Sequence, residues 1–152
     1  MRLLLILASA FALLTCACIP VHVYVSSDGC TSRGDCPYGQ GSPKNYYWQP
    51  LHEAVVQPGA GDSIIQHELC HAWQGRTLPL DDITLKGWLD TPEGRDFPDL
   101  PWSWSIPAYG NKRLEDAAWT CAAWVIGARL DPVRHAWAEY WIGGRIAYVR
   151  SE

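Results

Sequence analysis

The sequence predicts an α+β chain, with a small and mainly antiparallel sheet packed on two longer helices. Three observations carry that expectation. Short extended runs lie before residue 57, helical apolar spacing occupies 62–75 and 113–128, and Gly, Pro and Asp clusters separate them. The length of 152 residues suits one domain with a modest core. Hydrophobic residues make up 48% and charged ones 18%, which marks a globular chain without a long disordered part. A net charge of -4 and the lack of any Lys/Arg cluster exclude a nucleic-acid-binding role.

Residues 1–17 read as a signal peptide: Arg2, an apolar run from Leu3 to Leu14, then the small residues Thr15-Cys16-Ala17. Residues 18–152 are then a single domain. The run Leu13 to Cys18 also resembles a bacterial lipobox, with Cys18 or Cys16 as the lipid-bearing residue and a membrane attachment as the result. An uncleaved anchor is a third option, short for a bilayer span. All three readings place the domain outside the cytoplasm. Cys30 and Cys36 bracket the polar turn Thr31-Ser32-Arg33-Gly34-Asp35 and read as a local disulfide of an oxidising compartment. Cys70 and Cys121 each fall inside a predicted helix, free to pair or to stay buried thiols.

Val21 to Val25 alternates as a strand does, and Ser26 to Lys44 is loop. Tyr46-Tyr47-Trp48 and Leu51 to Val56 are short extended segments. In the second, His52 and Glu53 lack a partner histidine and read as a strand residue beside a solvated one. A helix begins at Asp62 or Ser63, where Ser63 and Gln66 match a capping box, and Gly75 is a natural stop. Residues 76–110 hold no long periodic pattern and are rich in Pro, Asp and Trp. We read them as covering part of a cleft, with a core role as the alternative for each tryptophan. Arg113 to Ala128 suits a helix whose alanines allow close approach to another backbone. Asp131-Pro132 reads as the cap and first residue of a last helix ending near Gly143. Ile146 to Val149 is a short apolar tail.

The chemistry concentrates in Ser63 to Gln74, which contains His67-Glu68-x-x-His71. Helical residues four apart share a face, so both imidazoles can reach one zinc ion, with Glu68 beside them as general base. Glu115 lies at the start of the next long helix, where the dipole favours a carboxylate. Asp116, and His135 with Glu139, are its competitors as a third ligand.

On these residues the chain resembles the gluzincin zinc metallopeptidases, which pair H-E-x-x-H with a glutamate from a downstream helix, often within E-x-x-A-[DE]. Glu115-Asp116-Ala117-Ala118 matches the first four positions, 44 residues after His71, and Trp119 stands where the family has an acid. The resemblance implies a zincin-like fold, one zinc held by His67, His71 and Glu115, and a strand set against the substrate before the active-site helix, the place residues 51–56 hold in the order. Tyr109-Gly110 resembles the anthrax lethal factor catalytic domain and related bacterial proteins. That likeness implies a Tyr109 hydroxyl donated to the developing oxyanion. The expected function is an exported zinc peptidase, a monomer acting on a peptide or protein substrate. The alternative is an inactive zinc-binding envelope protein serving as a binding module. A carbohydrate-binding lipoprotein is a third reading, suggested by nine Trp and seven Tyr.

Overall fold

The computed structural model describes residues 21–105 and 110–143. The leader, both lipidation candidates, Tyr109 and the apolar tail lie outside them. Three strands, β1 (His22–Val25), β2 (Tyr46–Trp48) and β3 (Glu53–Val56), form one sheet in the order β1-β3-β2. Glu53 to Val56 are all buried, as the central strand requires, whereas β1 is an exposed edge.

The sheet is mixed rather than mainly antiparallel. β2 and β3 are antiparallel because a tight 3₁₀ turn, Gln49–Leu51, and a left-handed His52 (φ 48°) reverse the chain between them. β1 reaches β3 only after the long excursion through the stapled loop and β2, so nothing forces it to run the opposite way, and it pairs parallel. The central place of β3 also corrects the expectation that residues 51–56 receive substrate along an edge. Both of its edges are occupied.

The loop after β1 is closed by the Cys30–Cys36 disulfide. It is tied to the sheet through Glu53, whose carboxylate accepts from the Ser32 amide at 2.7 Å and the Ser32 hydroxyl at 2.6 Å. Glu53 is therefore buried and paired, not solvated. The Tyr46 hydroxyl donates to Gly29 O at 3.0 Å. Gly29 itself has φ +74°, and a Cβ there would sit 2.4 Å from Ser42 O, so both conformation and space demand glycine.

Helix α1 (Asp62–Gly75) follows. Its cap is Gly61, with no side-chain cap bond; Ser63 lies inside the first turn, so the expected capping box does not form. Gly75 closes the helix for a reason of packing, since a Cβ would meet Gln49 Oε1, and the residue after it, Arg76, stays right-handed. α1 lies between the sheet and α3 (Lys112–Val125) and packs most extensively on α3. Ala117, Ala118 and Ala122 line that contact side, fully buried, and the Cys70–Cys121 disulfide staples the two helices. Small side chains here permit the close approach that such a bridge needs.

Between α1 and α3 come one 3₁₀ turn, Lys86–Asp90, and the short helix α2 (Pro92–Asp96), capped by Thr91. Trp88 and Phe97 fill the core rather than cover a cleft. Phe97 meets Trp137 edge to face at 4.8 Å, and Trp88 meets it at 6.4 Å. Trp137 belongs to α4 (Pro132–Trp141), which Asp131 caps by accepting from Val133 and Arg134 amides. Among the described residues, no helix is long and apolar enough to cross a membrane.

Candidate metal centre

The spacing of His67 and His71 puts their imidazoles one helical turn apart on α1, with Nε2 atoms 3.1 Å from each other. The opposite wall comes from α3. Asn111 caps it by accepting from the Arg113 and Leu114 amides, which starts the helix so that Glu115 falls in its first turn. Glu115 Oε2 lies 3.2 Å from His67 Nε2, and Oε1 lies 3.5 Å from His71 Nε2. A tetrahedral ion with bonds of about 2.0–2.1 Å holds neighbouring ligand atoms about 3.3 Å apart. The group could therefore hold one metal ion, and two imidazoles with a carboxylate are a donor set of a type that zinc takes. Among the described residues, this is the group of histidine, cysteine and acidic side chains that could hold an ion.

The electrostatics suit that use. Burial lowers the pKa of His67 to about 4, outweighing Glu115 beside it, so its imidazole is neutral at ordinary pH. Burial pushes Glu115 up, but the imidazoles of His67 and His71 beside it outweigh this and lower it to about 2. His71 goes the other way: burial would lower its pKa, yet Glu115, Glu68 and Gln74 together raise it. Glu68 is buried, and that burial raises its pKa to about 7. The His71 charge and the Tyr47 backbone N–H oppose the rise, and Glu115 adds to it. That N–H belongs to β2, which packs against α1 as β3 does.

The two histidines are held differently. His71 Nδ1 lies 2.7 Å from Gln74 Oε1, and Gln74 Nε2 donates to Leu114 O at 3.0 Å. His67 instead stacks on Trp119, with ring centroids 4.1 Å apart and planes 26° from parallel. Its Nδ1 is buried and has no hydrogen-bond partner among the described residues. Trp119 thus offers His67 a flat surface and no acceptor. Trp104 lies against Trp119 at 6.2 Å and donates to Asp116 Oδ1 at 2.6 Å.

Asp116 is excluded as a ligand by its own partners. Arg134 grips it with two bonds, Nε to Oδ1 at 2.9 Å and Nη2 to Oδ2 at 2.6 Å, in a buried pair. His135 and Glu139 are exposed and face each other at 3.9 Å on α4, outside the donor group. One residue of the site is not singled out by the sequence patterns above. Gln74 carries a signal all the same, since it lies three residues after His71 and so on the same helical face.

No protein-family model, no curated protein and no solved structure matches this chain.

Proposed function

We propose that this chain is an exported zinc peptidase of gluzincin type. The observation that carries the reading is the convergence of His67, His71 and Glu115 at ligand spacing, with the Glu68 carboxylate buried beside them. Bound there, zinc would supply Lewis acidity, lowering the pKa of a water toward about 7 and polarising a carbonyl oxygen. With its own pKa raised to about 7, Glu68 suits both halves of the proton transfer, taking a proton from the attacking water and returning it to the leaving amine. Tyr109, which shortly precedes the start of α3 at Lys112, is the proposed hydrogen-bond donor to the oxyanion. Both disulfides support an oxidising location, secreted, periplasmic or lipid-anchored through Cys18 or Cys16.

The test is hydrolysis of a mixed peptide library by the mature domain, with and without chelator, beside a Glu68→Gln variant. Wild type should cut and stop when chelated; Glu68→Gln should keep zinc and lose about 10²–10⁴-fold of the rate. Equal cutting by the variant would overturn the mechanism. One observation favours the second reading, a zinc-holding binding module: Trp119 leaves His67 Nδ1 without an acceptor among the described residues. Stoichiometric zinc with no cleavage of any peptide would establish that reading instead.

A further inference from the structure

We propose that Gln74 is a positioning residue that locks His71 in its ligating tautomer and ties α1 to the ligand turn of α3. The proposal rests on the metal-centre reading above. A primary amide has one acceptor and one donor end, and the two ends of Gln74 are spent on different helices. Its Nε2 donates to Leu114 O, which leaves Oε1 toward His71. An oxygen there can only accept, so the imidazole proton sits on Nδ1 and the Nε2 lone pair faces Glu115 and His67. Leu114 is the residue immediately before Glu115. One side chain thereby sets both the ring of a histidine ligand and the height of the carboxylate ligand across from it.

The burial of Gln74 makes this arrangement firm. The residue is 0% exposed, and each end of its amide has a protein partner. Rotating the amide by half a turn would set its N–H₂ against an Nδ1–H and its oxygen against the Leu114 carbonyl, two repulsions in place of two bonds. His67 has no equivalent, which leaves Gln74 as the only hydrogen-bonded support behind a ligand histidine among the described residues.

The experiment compares wild type, Gln74→Leu, Gln74→Glu and the control Gln49→Leu. Gln49 is an equally buried amide whose bonds go to Gly75 and Leu78 carbonyls instead. Two quantities are read: zinc affinity by competition with a chromophoric chelator, and the His71 tautomer from ¹⁵N NMR of the metal-free protein at alkaline pH. We expect the Nδ1–H tautomer in wild type and in Gln74→Glu, and its loss in Gln74→Leu. Zinc affinity should fall about 10–100-fold in Gln74→Leu, recover in part in Gln74→Glu, and stay unchanged in Gln49→Leu. An Nε2–H tautomer in wild type overturns the proposal, as does an affinity loss in Gln74→Leu no larger than in the control. If wild type takes up no zinc, the metal-centre reading fails, and the metal-free tautomer still decides the role of Gln74. Should Gln74→Leu fail to fold, the tautomers of wild type and Gln74→Glu decide the matter.

Discussion

His71 and His67 are neighbours on one helix with the same chemistry, yet their supports have nothing in common. His71 is held at its rear by a hydrogen bond that reaches a second helix. His67 is held across its face by a tryptophan, and its rear nitrogen has no partner among the described residues. A hydrogen bond fixes which nitrogen carries the proton and pushes electron density toward the other. A stack fixes the plane of the ring and does neither. The site therefore joins one strongly directed imidazole to one that is merely flanked.

The largest way to break this asymmetry is on the flanked side. Arg134→Met leaves the Asp116 carboxylate buried and uncompensated, and Asp116 is the anchor of Trp104, which backs Trp119. We expect a loss of about 3–5 kcal/mol of folding stability, checked by urea melts, with His71 and Gln74 unmoved in the folded fraction.

Next comes the staple common to both sides. Cys70 adjoins His71 in sequence and Cys121 lies two residues after Trp119, so the Cys70–Cys121 bridge holds both supports at once. The double Cys→Ser variant should lose about 2–4 kcal/mol. Its zinc affinity should fall whether the Gln74 side or the Trp119 side is intact. A chain that melts alike with and without reductant would count against the bridge.

A finer probe converts one support into the other. Trp119→Asp offers His67 Nδ1 the acceptor it lacks. Zinc affinity should rise about tenfold in Trp119→Asp, while Trp119→Ala should lower it by a similar factor, both read by chelator competition. Equal affinities in all three proteins would show that the stack is packing alone.

The smallest effect is on pH dependence. Asp131 pairs with Arg134 through Nη1 at 2.7 Å, and although burial acts to raise it, those bonds hold its carboxyl below the ordinary 3.8. Its folded pKa being depressed, its stabilising contribution is present above about pH 4 and is lost as pH falls through the folded value. Asp131 is partly exposed, so the contribution is small. Asp131→Asn keeps a capping oxygen for Val133 and Arg134 and removes the charge. Urea midpoints for this variant should fall less steeply than wild type on acidification.

Much of the site was legible because it is local. Two histidines four apart need only a helix to face the same way, and the turn before them and the apolar spacing around them announce a helix. The Cys30–Cys36 turn and the Asp131-Pro132 helix start are local in the same sense, and the structure contains both. The fold was legible as α+β with its helices near their expected bounds. Its sheet was not: whether β1 pairs parallel depends on where the chain goes between residues 26 and 45, which no periodicity records. Trp88 and Phe97 sit in a stretch with no pattern and are core all the same, because burial there is shared with Trp137 from the far end of the chain.

The sequence by itself determined the candidate ligand pair His67 and His71, the adjacent Glu68 and a carboxylate early in a later helix, since each depends on the 3.6-residue period of one element. Only the tertiary structure decided which carboxylate faces the histidines. Glu115 and Asp116 are adjacent and chemically alike, and the packing of α3 between α1 and α4 turns one to the imidazoles and the other to Arg134. It also decided what stands behind each ring. Gln74 and Trp119 acquire their roles by contact across helices, and such contacts follow from how elements meet rather than from the order of residues within them.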